Sequence, residues 1–388
     1  MKHVLYLTFY FEPDLCAGSF RNTPLAKELA WELKGKAEVD VITTLPNRYS
    51  TYQIDALQYE ETENLRIYRV GLPSHNSGFK DQILSFRSFY FQVLKIVRER
   101  KYDLVFASSS RLFTAYLGYR IAVDKRIPLY LDIRDIFRDT MKDVLQNKII
   151  KAGILPVLRR VEYKVFNYAA HINLISAGFS PYFSSYPKPK YSFFPNGIDA
   201  EFLNIKSCPN GQKVRKTITY AGNLGEGQGL HKIIPQAAKA LGANFHFLII
   251  GDGGAKQKLL DAVRTYEVSN VEVRQPLSRK ELIEIYAKSD YLFIHLNDYE
   301  AFRKVLPSKI FELGAYDKPI IAGVGGYAYE FIKENLSNVI LFAPCDVQTM
   351  IRELSNTPYI TLLREDFIKK YRRDHINAQM VTSIADYL

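Results

Sequence analysis

Short apolar segments alternate with amphipathic segments along almost the whole chain, and this alternation constrains the fold more than any other feature. Residues 3–11 form an apolar run, residues 21–33 repeat apolar side chains at helical spacing before Gly35, and residues 38–44 are apolar again. Continuous apolar runs separated by helical periods are typical of strands that are buried on both faces and joined by helices. The sequence therefore predicts an α/β fold on a parallel sheet with helices covering both faces.

The same pattern predicts elements in both halves of the chain. In the first half we expect strands at residues 3–11, 38–44, 65–70, 103–107, 129–133, 172–176 and 191–194, and helices at 21–33, 85–99, 113–123 and 155–167. In the second half we expect strands at 217–221, 245–250, 271–273, 291–295, 319–322 and 339–342, a helix at 230–241 and a polar helical tail at 361–388. Strands that alternate with helices in this way indicate parallel sheets.

The alternation is interrupted at residues 207–211, Ser-Cys-Pro-Asn-Gly, where turn-forming residues cluster. We interpret this interruption as the boundary between two doubly wound, Rossmann-like domains that face a cleft, residues 1–207 and residues 208–369. A C-terminal helix at residues 370–388 is expected to pack back on the first domain. Ligands of such sheets bind at the carboxyl ends of the strands, so the loops that follow strands are the expected place of a site.

Composition excludes several classes of protein. A chain of 388 residues with 47% hydrophobic residues is long enough for two globular domains. Its cysteines, Cys16, Cys208 and Cys345, are far apart, which suits neither a disulfide framework nor a metal site and fits a reducing cytoplasm. The start of the chain turns acidic too early for a signal peptide, and no apolar run reaches the roughly 18 residues that a transmembrane helix needs.

Positive charge is concentrated in one part of the chain. Residues 81–190 contain 19 lysines and arginines against nine aspartates and glutamates, which gives +10 of the total net charge of +11. Such a region is expected to face nucleic acid or an acidic membrane leaflet, unless the charges only solvate the surface. Residues 85–102 and 148–164 mix basic and apolar residues at helical spacing, as an interfacial helix does. Packing of both apolar faces on the sheet is the alternative.

The segment from Lys304 to Gly323 has the features of a phosphate site. Pro307 suits the first turn of a helix, which would leave the N–H groups of Ser308, Lys309 and Ile310 free for an anion. Ser308 adds a hydroxyl and Lys309 a cation, and Glu312 follows one turn later, where a carboxylate can accept from two sugar hydroxyls. The segment therefore predicts a nucleotide diphosphate site, with an ordinary amphipathic helix and a solvated glutamate as the alternative.

Two glycine-rich turns follow predicted strands of the second domain. In residues 220–229, Gly222 would let a phosphate approach the backbone, and Asn223 or Gln228 would donate to it. The turn at residues 249–254 is explained as well by a tight strand-to-helix connection. Neither turn has the spacing of a dinucleotide fingerprint or a Walker lysine, which disfavours NAD and ATP.

The order of these motifs resembles that of GT-B glycosyltransferases, specifically the retaining family 4 and, within it, bacterial sugar transferases for surface polysaccharides. The resemblance runs over nearly the whole chain. It rests on residues 13–19, 132–135 (Asp-Ile-Arg-Asp), 194–199 (Phe-Pro-Asn-Gly-Ile-Asp), 221–224 (Ala-Gly-Asn-Leu), 250–253 (Ile-Gly-Asp-Gly) and 304–321. It implies the GT-B fold, a nucleotide-sugar donor in the second domain, an acceptor in the first, and transfer with retention of configuration.

The site residues that this resemblance implies fall into three sets. The donor-binding set is Gly222, Asn223, Gln228, Arg274, Pro307, Ser308, Lys309 and Glu312. The acceptor-binding set is Gly18, Arg21, Asp132 and Asp135, and the catalytic set is Glu312, Lys309 and Asp135. Lys304 replaces the first of the family's two glutamates, and Asn223 and Gln228 replace its arginine and lysine phosphate clamp. Lys309, Arg274 or Arg303 is therefore expected to supply the countercharge.

The carboxylates of the first domain have two interpretations. Asp132 and Asp135 follow a predicted strand, so they are expected to face the cleft and orient acceptor hydroxyls. Alternatively, they cap the next helix and pair with Arg134 or Arg138. No group of carboxylates, histidines or cysteines has metal-ligand spacing, so we expect neither a metal nor a cofactor besides the nucleotide-sugar donor.

The sequence therefore predicts a glycosyltransferase that moves a sugar from a UDP-sugar to a lipid-linked or saccharide acceptor in lipopolysaccharide or capsule synthesis. It would work in the cytoplasm, peripherally at the inner face of an anionic cytoplasmic membrane. One alternative is a nucleotide-sugar epimerase on the same fold, but the seven scattered histidines form no acid–base cluster. The other is a non-catalytic basic protein that binds nucleic acid, for which no reader module is recognisable.

Overall fold

The computed structural model describes residues 1–47, 54–73, 79–109, 112–145, 147–203 and 215–388. These residues form two compact units. The first unit comprises Met1–Pro195 and His375–Leu388, and the second comprises Asn196–Asp374. The predicted boundary between residues 207 and 208 lies outside the described residues.

A mainly parallel eight-stranded sheet forms the centre of the first unit. Its strands are β1 (Lys2–Leu7), β2 (Ala37–Thr44), β3 (Tyr59–Thr62), β4 (Leu65–Val70), β5 (Leu104–Ser109), β6 (Leu129–Ile133), β7 (His171–Leu174) and β8 (Lys190–Ser192). They lie in the order β3-β4-β2-β1-β5-β6-β7-β8, and only the β3–β4 pair is antiparallel among these described strands. The helices that follow them are α1 (Ala17–Glu32), α2 (Phe79–Val97), α3 (Leu112–Lys125), α4 (Phe137–Val144), α5 (Lys148–Tyr168) and α6 (Ser180–Phe183).

The second unit repeats the design with six parallel strands. These are β9 (Lys216–Asn223), β10 (Phe245–Asp252), β11 (Val271–Arg274), β12 (Tyr291–His295), β13 (Ile320–Gly323) and β14 (Val339–Phe342), in the order β11-β10-β9-β12-β13-β14. The helices are α7 (Leu230–Leu241), α8 (Lys256–Thr265), α9 (Arg279–Lys288), α10 (Lys309–Gly314), α11 (Tyr327–Asn335), α12 (Val347–Asn356) and α13 (Glu365–Lys370). Its central strands β10, β12 and β13 are largely buried on both faces, whereas the edge strand β11 is partly exposed.

The last helix, α14 (Arg373–Ala385), returns to the first unit. Met380, Val381 and Ile384 are buried in the same apolar cluster as Val4 of β1 and Leu25 of α1. The C-terminal residues therefore belong to the core of the first sheet.

The predicted α/β class with two parallel sheets is confirmed. The differences are local: β1 ends at Leu7 rather than at residue 11, α2 and α5 begin several residues before their predicted starts, and several elements were not predicted, among them β3, α4 and α9. Among the described helices, none combines the length and the apolar character that crossing a bilayer demands.

Candidate donor and acceptor sites

The candidate donor site lies where the strand order of the second sheet reverses. The chain builds β9, β10 and β11 toward one edge and then places β12 on the other side of β9. The loops that leave the carboxyl ends of β9 and β12 therefore diverge, which is where doubly wound sheets bind ligands. β9 ends at Asn223 and β12 ends at His295.

Three of the predicted donor residues meet near this point. Nζ of Lys309 lies 2.6 Å from Oε2 of Glu312, three residues later in α10. A Cβ atom placed on Gly222 would lie 3.8 Å from Cε of Lys309, so the glycine backbone runs beside the lysine side chain. The side chains of Lys309 and Glu312 remain 23% and 18% exposed. A cation, an anion and a glycine backbone therefore lie together where solvent partly reaches them.

Two buried tyrosines lie beneath this ion pair. Nζ of Lys309 donates to the hydroxyl of Tyr286 at 3.5 Å, and the rings of Tyr286 and Tyr316 pack edge to face with centroids 5.4 Å apart. Burial and then the charge of Glu312 raise the pKa of Tyr286 well above its usual value. Burial, Tyr286 and Glu312 raise the pKa of Tyr316 in the same direction. Both phenols are therefore neutral, and Lys309 and Glu312 supply the charge of the cluster.

Asn223 and Gln228 fix the glycine-rich loop that follows β9. Nδ2 of Asn223 donates to Oε1 of Gln228 at 2.9 Å, and the same oxygen accepts from the N–H of Gly225 at 3.2 Å. These two hydrogen bonds connect the beginning of the loop to Gln228 near its end. A phosphate contact from either amide stays a prediction.

His295 holds this loop from the end of β12. Its Nε2 accepts from the N–H of Cys345 at 2.9 Å, which leaves the proton on Nδ1, and Nδ1 donates to the carbonyl of Gln228 at 2.6 Å. Burial lowers the pKa of His295 to about 4, so the imidazole is neutral near pH 7. The two strands at the switch point are therefore connected through an uncharged histidine.

Two local predictions about the start of α10 are wrong. The helix begins at Lys309 with Ser308 in the capping position, so Pro307 lies outside its first turn. The N–H of Ile310 donates to the carbonyl of Pro307 at 3.1 Å and is not free for an anion. A tight turn closes on itself before the helix begins, which the position of the proline alone did not reveal. Ser308 directly precedes Lys309, and a contact between its hydroxyl and a phosphate stays a prediction.

The two arginines that were expected to add countercharge have other partners. Arg274 ends β11, with β10 between it and β9, and its Nε donates to Glu272 at 2.7 Å. Arg303 faces Asp298 at 3.4 Å and is 56% exposed. The described contacts join neither arginine to Lys309 or Glu312, so Lys309 is the one of these three expected cations that the structure places beside Glu312.

In the first unit, Arg21 and Asp132 form a buried ion pair. Nε and Nη2 of Arg21 donate to the two oxygens of Asp132 at 2.9 and 2.8 Å, and Ser108 and Asn173 donate to the same carboxylate. The residues are 1% and 0% exposed. Burial alone would raise the pKa of Asp132, but the charge and hydrogen bonds of Arg21 outweigh burial and lower it.

This burial corrects the role predicted for Arg21 and Asp132. Both side chains are bound to each other inside the unit, so an acceptor would meet them only if the pair separated. Their observed contacts join α1 to the carboxyl end of β6. The alternative of pairing with Arg138 is also wrong, because Arg138 faces Glu162 at 3.3 Å.

Asp135 and Arg134 are partly exposed at the same edge of the sheet, whereas Gly18, at the start of α1, is buried. Asp135 accepts from Oγ1 of Thr140 at 3.2 Å, and burial raises the pKa of Asp135 to about 6. It does not cap α4, which has no side-chain cap. A Cβ atom on Gly18 would lie 3.0 Å from Nη1 of Arg134, so the guanidinium lies against the start of α1. Within the described residues, Nε of Arg134 is buried and has no hydrogen-bond partner.

The cluster in the second unit suits a nucleotide. A carboxylate accepts from neighbouring ribose hydroxyls, and an ammonium group beside exposed backbone neutralises phosphate. Among the described residues, no group of three or more histidine, cysteine, aspartate or glutamate side chains is arranged to hold a metal ion.

Residues 206–374 match the family model described as glycosyl transferases group 1. The match covers less than half of the chain. The match extends over most of the second unit and includes Gly222, Lys309 and Glu312. It confirms the prediction of an enzyme of the glycosyltransferase class. A search of curated protein sequences found no match.

Solved structures share the fold of this chain over nearly its whole length. Sucrose-phosphate synthase from Thermosynechococcus elongatus has a TM-score of 0.73 at 12% identity, with 100% of this chain and 99% of that chain covered. HepE from Anabaena in complex with UDP-glucose has a TM-score of 0.70 at 15% identity, with both chains fully covered at 100%. WaaG, a glycosyltransferase involved in lipopolysaccharide biosynthesis, has a TM-score of 0.66 at 15% identity, with 98% and 99% covered. At these identities the likeness shows the fold, and the predicted GT-B fold is confirmed.

Sequence reasoning missed two residues, one at each candidate site. Tyr286 lies on α9, a helix that was not predicted, and nothing in its local sequence marks it. Arg134 carried a usable signal, because it stands between Asp132 and Asp135 directly after a predicted strand. We had considered it only as a partner for those carboxylates.

Proposed function

We propose that the chain transfers a sugar from a UDP-sugar to a lipid-linked or saccharide acceptor in cell-surface polysaccharide synthesis, with retention of anomeric configuration, as a member of the retaining family 4. One observation carries the proposal: the Lys309–Glu312 pair lies beside Gly222 near the switch point of a glycosyl transferases group 1 domain. The site of action is the inner face of the cytoplasmic membrane. Nucleic acid is not a partner.

Each donor residue has a distinct task. Glu312 accepts hydrogen bonds from the ribose hydroxyls, and Lys309 offers its ammonium group to the diphosphate. Gly222 has no side chain, so its backbone approaches the phosphate directly. Ser308 adds a hydroxyl donor one residue before Lys309, while Asn223 and Gln228 hold the loop that closes on the phosphates.

The chemistry depends on positioning and charge. As the sugar leaves, negative charge builds on the phosphate oxygens, and a fixed cation lowers the energy of that state more than the energy of the bound donor. Lys309 provides this charge without rearrangement because its ion pair and its contact with Tyr286 already orient it. No step in this account needs a metal ion.

The acceptor is assigned to the first unit. Asp135 lies at the carboxyl edge of the sheet with a pKa of about 6, so it is mostly ionised at pH 7 and able to accept from an acceptor hydroxyl. Arg134 is available beside it for an anionic group of the acceptor. Gly18 keeps the start of α1 narrow enough for the guanidinium to lie there.

The similar structures guide the choice of substrates. HepE is described in complex with UDP-glucose, and WaaG is described as acting in lipopolysaccharide biosynthesis. UDP-glucose is therefore the first donor to test, and a lipid-linked saccharide is the first acceptor class.

The deciding experiment is a panel of nucleotide sugars read by thermal shift. A ligand that binds only the folded state raises the melting temperature, so the true donor should stand out. Glu312→Ala should abolish that shift, and release of UDP together with NMR of the new linkage would then establish transfer and retention. No shift with any nucleotide sugar, combined with salt-sensitive DNA binding, would favour the nucleic-acid alternative. Conversion of the nucleotide sugar to its epimer without transfer would favour an epimerase.

A further inference from the structure

Four helices of the first unit, α2, α3, α4 and α5, surround an apolar groove of about 560 Å³. That volume lies within the roughly 300–1,000 Å³ of small-molecule sites. Aromatic and aliphatic side chains line it, among them Phe86 and Tyr90 from α2, Phe113 from α3, Phe137 from α4 and Val157 from α5. The groove is therefore a shared apolar surface of four helices.

The helices turn apolar residues toward this space rather than only toward one another. On α5, Gly153, Ile154, Val157 and Leu158 recur at helical spacing along the groove. Val157 is nevertheless 61% exposed, and Ile83 at the other side of the groove is 51% exposed. An amphipathic helix normally buries such a stripe. Apolar surface gathered around one groove marks a site for an apolar partner.

Lysines and arginines outnumber aspartates and glutamates on the four helices that form the groove. Arg87 is the charged residue among those that line it. Five lysines and arginines lie on α5, and Arg159 and Arg160 are exposed. The one acidic residue of α5, Glu162, is buried and faces Arg138 at 3.3 Å. The occupant is therefore expected to combine an apolar body with a negative head.

We infer that the groove holds the hydrocarbon chain of a phosphate-bearing lipid and that this lipid is the lipid part of the acceptor. The inference rests on the proposed function, since it names the part of the acceptor that the first unit recognises. Phe137 lines the groove and also lines a small pocket with Asp135 at the carboxyl edge of the sheet. A chain in the groove thus directs its polar end toward the acceptor residues.

The chemistry of the lining favours a hydrocarbon chain over an extended peptide. A peptide backbone brings N–H and C=O groups, and burying them without partners is costly. A lining dominated by aromatic and aliphatic side chains offers few partners. A hydrocarbon chain needs none, and each methylene that leaves water adds to its affinity.

Gly153 allows a direct test. A Cβ atom at Gly153 meets no atom within 4 Å, so Gly153→Leu extends into the groove without a clash. Leucine also favours a helix more than glycine does, so the variant should fold. Ala152→Leu is the matched control, because it adds similar bulk at an exposed neighbouring position of α5. The probe is dodecyl phosphate below its micelle concentration, titrated by calorimetry into the full chain.

The parent and Ala152→Leu should bind dodecyl phosphate alike, and Gly153→Leu should bind about tenfold more weakly, because its side chain displaces the contacts of about two methylenes. Arg87→Glu should weaken binding of dodecyl phosphate more than binding of uncharged dodecyl maltoside. No binding by the parent, or equal binding by Gly153→Leu, would overturn the inference. Concentration-dependent self-association that Gly153→Leu abolishes, without lipid binding, would overturn it in favour of an interface between copies.

UDP binding, measured on the same samples, separates this inference from the proposed function. Transfer from a UDP-sugar to a soluble saccharide without lipid binding would remove the lipid site and keep the glycosyltransferase. Lipid binding without any nucleotide-sugar binding would support the groove and overturn the proposed donor.

Discussion

Glu312 is the single residue on which the donor assignment depends most. It is the acidic partner of Lys309, and its helix buries Ile310, Phe311 and Leu313 on the opposite side. Glu312→Ala should therefore leave the fold intact and weaken UDP binding roughly 10- to 150-fold, because a hydrogen bond to a charged group contributes about 1.5–3 kcal/mol. Calorimetry with UDP measures this effect, with Glu334→Ala, exposed on α11, as the control. Unchanged affinity in Glu312→Ala would contradict the assignment.

Lys309 decides whether the donor needs a divalent cation. Its ammonium group is the cation that the described contacts place beside Gly222. Transfer is therefore expected to persist in excess EDTA, and Lys309→Met, which keeps the length of the side chain, should lose donor affinity with or without manganese. Activity that disappears in EDTA and returns with manganese would show that a metal ion neutralises the diphosphate.

His295 makes the stability of the second unit depend on pH. The unfolded chain takes up a proton on this histidine below about pH 6.5, whereas burial delays protonation of the folded chain until about pH 4. The free energy of unfolding should therefore fall as the pH is lowered through this window, by at most about 3 kcal/mol. His295→Gln removes the effect, so the stability difference between parent and variant in urea should shrink from pH 7 to pH 4.5. A constant difference would contradict the neutral assignment.

At the scale of elements, the sequence predicted best those segments whose ends carry strong signals. α7 has its predicted bounds, Leu230–Leu241, because glycines with left-handed backbone, Gly229 and Gly242, stand at both ends. β6, β12 and β14 also have their predicted bounds as short, mainly apolar runs, and β4 has them although it contains two arginines.

Missed elements lack an apolar pattern or have a misleading one. β3 is an antiparallel edge strand whose residues are largely exposed, so no burial pattern marks it. α5 begins at Lys148 because the side chain of Asn147 accepts from the N–H groups of Ile149 and Ile150. The predicted start at residue 155 is wrong, and Pro156 lies inside the helix.

The predictions about the sites are limited in the same way, because local sequence does not show contacts between distant residues. Lys309 and Glu312 are three residues apart, so their ion pair follows from helical spacing. Arg21 and Asp132 are 111 residues apart in sequence, and only the folded sheet shows that they satisfy each other. Local sequence therefore predicts pairing between residues close in the chain, but not pairing between distant residues that only the fold brings together.

The Pro-Asn-Gly-Ile-Asp segment is one of the motifs that resemble those of GT-B glycosyltransferases. Its hydrogen bonds connect the two ends of the second unit. The N–H of Ile198 donates to the carbonyl of Tyr371 at 2.7 Å, and the N–H of Arg373 donates to the carbonyl of Ile198 at 2.9 Å. A Cβ atom on Gly197 would lie 2.6 Å from Cα of Arg373, so only glycine fits there. Asp199 adds ion pairs with Arg279 and Arg373.

Asp199→Asn should therefore destabilise the second unit by about 3 kcal/mol, because two largely buried arginines lose their common carboxylate. Asp261→Asn is the matched control, since Asp261 pairs with Arg264 on an exposed surface of the same unit. A surface pair of this kind contributes about 0–1 kcal/mol. Urea unfolding monitored by circular dichroism measures the free energy of unfolding of both variants. Equal losses of stability in the two variants would contradict a structural role for the motif.

At the scale of the whole molecule, the two units differ in the features that bear on function. The family match lies almost entirely in the second unit, where the donor cluster is found. The excess positive charge, residues 81–190, lies entirely in the first unit, together with the apolar groove. The surface of the first unit is therefore expected to decide where the enzyme works.

The last prediction is that the protein binds acidic membranes through the first unit. Each lysine or arginine near an anionic surface adds about 1 kcal/mol, so a few exposed ones suffice for reversible binding. Co-sedimentation with vesicles should be strong when they contain acidic lipid, weak when they are neutral, and reduced by high salt. Arg159→Glu with Arg160→Glu should release the protein, whereas the same charge change at Lys239 and Lys333, both exposed in the second unit, should not. Equal recovery on neutral and acidic vesicles, or no binding at all, would remove the membrane and make a soluble acceptor the better hypothesis.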